Sequence, residues 1–130
     1  MTEKEQFEIA SNWFKQLEQR DLDQLVSLYS DARLSFHPTL WNEHIRDRSR
    51  TRDYFVNFLA KNPRVRSFTG DFLSLDDRSF LYSGTMTLTL GNPNHNTENQ
   101  VTARFSFVWT KEVDRQWRIL HHHNSVVPAT

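Results

Sequence analysis

Between Val101 and Trp109 apolar side chains fall on every second residue: Val101, Ala103, Phe105, Phe107 and Trp109 alternate with Thr102, Arg104, Ser106 and Val108. Successive strand side chains point to opposite faces, so this spacing predicts a long strand with one buried face. Three large rings on that face need a second layer to cover them. The start of the chain supplies one. Phe7, Ala10, Trp13, Phe14 and Leu17 recur at spacings of three and four and form the apolar stripe of a helix. Asp21 caps a second, shorter helix with Leu22, Leu25, Val26, Leu28 and Tyr29 as its buried side.

The period then changes. Ala32, Leu34 and Phe36 alternate as a short strand, which His37-Pro38 ends, and Thr39 to Asp47 reads as a loop. A third helix is expected from Ser49 or Thr51, with Tyr54, Phe55, Phe58 and Leu59 buried and Asn62-Pro63 as its stop. Strands follow over Val65–Leu75, Phe80–Leu90 and Val101–Trp109, and the last runs from Trp117 to Val127. Turns are expected at Asp76-Asp77-Arg78 and Val113-Asp114-Arg115, and a loop from Gly91 to Glu98. The resulting class is α+β: helices packed on a strongly curved antiparallel sheet, a cone with room for a small ligand between the layers.

Composition narrows the function. The 130 residues read as one domain spanning 1–130. Sixteen basic and sixteen acidic residues balance, which disfavours a general nucleic-acid binder. The absence of cysteine removes disulfides, thiolate metal sites and thiol catalysis. With no apolar run long enough to span a bilayer and a charged start from Met1 to Glu8, the expected location is the cytoplasm, with no membrane partner.

The histidine run His121-His122-His123 is the most unusual feature. Strict alternation places His121, His123 and Ser125 on the side of Trp117 and Ile119, and His122 and Asn124 on the other. At most two of the three imidazoles can then share a pocket. They can serve as polar groups on a wet or intersubunit sheet face. They can also be two metal ligands, with His37, Glu43 or His44 as a third. Arg46, Arg48, Arg50 and Arg52 alternate with acidic and hydroxyl residues, a pattern of solvated ion pairs or a subunit contact.

Two segments carry a family resemblance: Thr102 to Trp109 followed by Trp117 to Ser125, and Pro38-Thr39-Leu40 followed by Asp53 to Leu59. The chain resembles the nuclear transport factor 2-like superfamily, in the family of the iota-class carbonic anhydrases and close to the association domain of calcium/calmodulin-dependent protein kinase II. The resemblance implies a cone-shaped, cystatin-like fold and a homodimer or larger homo-oligomer formed through the sheet. It also implies reversible hydration of carbon dioxide to bicarbonate without an obligatory metal; other members are associated with manganese, and the resemblance leaves manganese or zinc open.

The matching catalytic positions are Thr39, Tyr54, His123 and Ser125, with Thr39, Tyr54, Ser125, His121 and Phe105 against the substrate. A histidine, with an ordinary pKa near 6.5, suits the role of base. The chain departs from the family at Phe105, where a tyrosine is usual, at Asn124, where a second serine is usual, and at Val126-Val127. Alternation turns Asn124 away from the pocket. The alternative function is a non-catalytic assembly module or a binder of another small molecule.

Overall fold

The computed structural model describes residues 1–92 and 97–128. Helix α1 spans Glu3–Gln19, α2 spans Leu22–Ser27 and α3 spans Arg48–Leu59. Each starts on a side-chain cap. Thr2 and Glu5 form a reciprocal capping box on α1, and Asp21 caps α2. Asp47 accepts from the Arg50 N–H, so α3 begins at Arg48, before the expected Ser49 or Thr51. Along α1 the stripe Ala10, Trp13, Phe14 and Leu17 is buried as its spacing predicts. Phe7 is instead 46% exposed and rests against Phe68, while Gln6 takes the buried position and donates to Ser74 Oγ at 3.0 Å.

Five strands form one sheet in the order β1-β5-β4-β3-β2: β1 Ser35–His37, β2 Arg64–Asp76, β3 Ser79–Asn92, β4 Thr97–Lys111 and β5 Trp117–Val126. All neighbours are antiparallel except β1 and β5, so one edge strand departs from the all-antiparallel expectation. Strand β1 is also shorter than the alternation of Ala32, Leu34 and Phe36 suggests. Of the loop expected from Gly91 to Glu98, Gly91 and Asn92 belong to β3 and Thr97 and Glu98 to β4; residues 93–96 lie outside the described residues.

Register explains what the sheet does with its rings. Phe72, Tyr82, Phe107, His122 and Phe36 are successive cross-strand partners, one row across all five strands on the inner face. Their rings stack, with centroids 4.3 Å apart for Phe72–Tyr82, 4.0 Å for Phe107–His122 and 4.7 Å for His122–Phe36. Trp13 and Phe14 of α1 meet Phe107 edge-on at 5.3 and 6.2 Å. Tyr29 and Phe55 close on Phe36 from the other side. Aromatic side chains thus occupy the interior where the sequence suggested a ligand cavity.

The last strand corrects the sequence reading. Trp109 pairs with Ile119, but Val108 pairs with His121, so Leu120 is an extra residue on β5. A one-residue bulge reverses the facing of everything beyond it. Ile119 faces in before the bulge; after it His122 and Asn124 face in, and His121, His123 and Ser125 face out. Burial agrees: Ile119 and His122 are 0% exposed and Asn124 is 7% exposed. The expectation that Asn124 turns away from the enclosed side is overturned, because simple alternation holds only for an unbroken strand.

Candidate functional site

The short first strand creates the site. Pairing of β1 with β5 ends at His37 opposite His123, and the chain leaves the sheet at Pro38. Beyond that point Asn124 and Ser125 lose their neighbour on this side. The loop from Thr39 to His44 arches along the open edge and borders an open hollow of about 470 Å³. Its walls are His37, Thr39 and His44 on one side, and His123, Asn124 and Ser125 on the other. Because the hollow wraps a strand edge, it takes residues from both faces of β5.

Helix α3 grips the loop at two positions one turn apart. The Tyr54 hydroxyl donates to the Thr39 carbonyl at 2.9 Å. Burial pushes the Tyr54 phenol far above its ordinary pKa, so it stays a donor. Arg50 donates to both carboxylate oxygens of Glu43 and lies 4.9 Å over the Trp41 ring. Trp41 in turn meets Tyr54 edge-on at 5.3 Å. Between these anchors Leu40 adopts a left-handed backbone (φ 68°), a conformation that costs a non-glycine residue about 1 kcal/mol. Of the alternating arginines, Arg50 pairs with Asp53 within the run and Arg52 with Asp23 outside it, whereas Arg48 donates to the backbone carbonyls of Tyr29 and Ser27 and makes no ion pair among the described residues.

Thr39, His123 and Ser125 of the expected set thus meet at one hollow, and Tyr54 reaches it only through the Thr39 backbone. His121 stands outside, 6.3 Å from His37 on the outer face. Phe105 is a core residue on the inner face, packed against Phe14, Tyr82 and Phe107. In the wall of the hollow, His37 and His44 stack in parallel at 4.3 Å, and His44 Nε2 lies 2.9 Å from Ser35 Oγ. Lost hydration, then His37 and Arg46, lowers the His44 pKa; His121 is lowered by burial, then by His37 and His123. Among the described residues no three or more His, Cys, Asp or Glu side chains are grouped to hold a metal ion. Glu43, a suggested third ligand, is held by Arg50. The donor set therefore does not fit the metal reading.

Two residues that sequence reasoning set aside belong to this region. Trp13 Nε1 donates to the Tyr29 hydroxyl at 2.9 Å, and that hydroxyl lies 2.9 Å from His122 Nδ1. His122 is wholly enclosed, and burial lowers its pKa to about 3. Its Nε2 and the Oδ1 of Asn124 have no partner. Two larger clefts, of about 610 and 660 Å³, flank the β4–β5 turn. Both are lined by Arg118, which is tied to Glu112 and Asp114.

Helices packed on a five-stranded sheet of this order define the nuclear transport factor 2-like, cystatin-like class. Within it the chain belongs to the SnoaL-like domain family, whose pattern matches residues 8–130. A candidate calcium/calmodulin-dependent protein kinase II association domain from Xanthomonas campestris is 31% identical, with 95% of this chain and 88% of that one covered and a TM-score of 0.82. A nuclear transport factor 2-like protein from Salmonella enterica shares the fold at 18% identity (98% and 92% covered, TM-score 0.79). So does a candidate dehydratase from Streptomyces avermitilis at 17% identity (93% and 93%, TM-score 0.70). No curated protein matches the chain. Among the described residues no helix is long and apolar enough to cross a membrane.

Proposed function

We propose that the hollow at the β5 edge binds carbon dioxide and bicarbonate and interconverts them without a metal. One observation carries this reading: Thr39, His123 and Ser125, remote in sequence, line a single small hollow. In hydration a water oxygen bonds to the carbon while His123 takes the proton. The Thr39 and Ser125 hydroxyls donate to the oxygens on which charge develops. General-base help is worth about 10²–10⁴-fold and a well-placed donor about 3 kcal/mol. Tyr54 positions Thr39 and does not itself meet the substrate. Stopped-flow hydration by chelator-treated protein tests the reading. A rate above buffer that Ser125→Ala lowers strongly supports it; no rate above buffer, with or without added manganese or zinc, ends it.

A second reading, assembly through the sheet, has its own observation. Leu73, Leu81 and Val108 form one cross-strand row on the outer face, beside His121, and Leu73 is 59% exposed. Rows of apolar residues on an uncovered sheet face suit a symmetric contact. The likeness to a candidate association domain points the same way. Light scattering at micromolar concentration reads a dimer or larger ring under this reading. A monomer there rejects it, and Leu73→Glu shifts an oligomer toward monomer.

A further inference from the structure

We propose that Asn124 presents its amide nitrogen to the hollow as a donor for an oxyanion, held in that orientation from behind by His122. This inference rests on the hollow being the binding site and names the ligand class it takes.

The argument starts in the core. An indole N–H can only donate, so the Tyr29 oxygen accepts from Trp13 and its own proton goes to His122 Nδ1. His122 is neutral, so its proton sits on Nε2. That N–H is enclosed and has no acceptor, and Asn124 Oδ1 is enclosed and has no donor. The two residues are i and i+2 beyond the Leu120 bulge, on the same inner face, so an unsatisfied donor and an unsatisfied acceptor are neighbours. Their attraction, direct or through one water, is the arrangement that leaves neither group orphaned. A bond donated by His122 to Asn124 Oδ1 favours the charged imidazole and so partly offsets the effect of burial on His122.

Once Oδ1 faces His122, the geometry of a planar amide turns Nδ2 the other way. Asn124 is a wall of the hollow, and its nitrogen is not among the enclosed unpartnered atoms. The hollow then offers two amide N–H donors beside the hydroxyls of Thr39 and Ser125 and the imidazoles of His37, His44 and His123. A convergence of donors with no carboxylate free to oppose it, Glu43 being neutralised by Arg50, selects an anion with several acceptor oxygens. A cation finds no complement there.

The test is a bicarbonate titration of ¹⁵N-labelled protein followed by NMR, with chloride at matched ionic strength as the reference. The Asn124 side-chain amide and the backbone amides of Thr39, His123 and Ser125 are expected to shift together and saturate at one concentration. If the three backbone amides respond and the Asn124 side chain does not, the role of Asn124 is overturned while the hollow keeps its ligand. If none responds, the hollow reading falls and this inference with it. The imidazole spectrum of His122 checks the orienting partner: a proton on Nε2 is expected, and one on Nδ1 overturns the chain of hydrogen bonds. Asn124→Asp, similar in shape but acceptor-only and negative, should weaken bicarbonate about 10- to 100-fold. Unchanged affinity in that variant refutes the donor role.

Discussion

The Tyr29 hydroxyl lies 2.9 Å from Nδ1 of His122 inside a ring-lined core, which joins a residue just beyond α2 to the middle of the last strand. Both residues are 0% exposed. The imidazole is stacked between Phe36 and Phe107, so it works as part of the aromatic row while carrying polar atoms through it. Two of its consequences are measurable.

The first is acid sensitivity. Burial holds the His122 pKa near 3, well below the ordinary value of about 6.5. Between those values the unfolded chain binds a proton that the folded chain refuses. Stability is then full above pH 6.5 and falls as pH drops, by about 1.4 kcal/mol per unit from this group. His44 and His121, lowered as well, act in the same direction. Urea midpoints measured from pH 7.5 to pH 5 should fall, and His122→Phe should flatten most of that slope. An equal slope in the variant would assign it elsewhere.

The second concerns Tyr29→Phe. Removing the hydroxyl strands Trp13 Nε1 and His122 Nδ1 together, two buried groups that each cost about 1–3 kcal/mol when orphaned. A loss of about 3 kcal/mol in denaturant unfolding is expected, where an exposed tyrosine would lose almost nothing. A loss below about 1 kcal/mol would mean that water replaces the phenol.

These residues show where reading the sequence stopped. The helices were legible because Ala10, Trp13, Phe14 and Leu17 share one face and because Asp21 is a cap. The long strands were legible because Phe105, Phe107 and Trp109 alternate and stay on one face. The facing of the histidines was not legible. It depends on the extra residue at Leu120, and that bulge is fixed by pairing with β4 rather than by any local turn signal. The meeting of Thr39 with His123 and Ser125 was reachable only through the family resemblance. The distance between β1 and β5 in sequence hides a parallel pairing. Pro38 ends a strand, as its chemistry dictates, and it also opens the edge at which the hollow forms.

A separate test concerns the sheet at the far side from the hollow. Gly70 and Gly84 face each other across β2 and β3. A Cβ on Gly84 would stand 1.9 Å from the Thr69 carbonyl oxygen and 2.5 Å from Gly70 Cα, and both are backbone atoms that cannot swing aside. Gly84→Ala should therefore force the two strands apart and cost about 2–3 kcal/mol, seen as a lowered thermal midpoint. An unchanged midpoint would mean that the sheet edge at β2 yields freely.

Tyr54→Phe separates positioning from chemistry. The phenol donates to the Thr39 carbonyl, and nothing else in α3 reaches that atom. Losing one such bond costs about 1 kcal/mol of stability, too little to unfold the domain. The loop keeps its Glu43–Arg50 anchor but loses its hold next to Thr39. If Thr39 acts from a fixed position, carbon dioxide hydration and bicarbonate affinity should both fall by about an order of magnitude in the variant. The pH profile of the remaining activity should keep its shape, because the substituted group carries no titrating proton in the working range. Thr39→Ala would share the rate loss, and combining the two changes should add little, since both act on the same hydroxyl. A Tyr54→Phe protein with full activity would show that the left-handed turn at Leu40 holds Thr39 unaided.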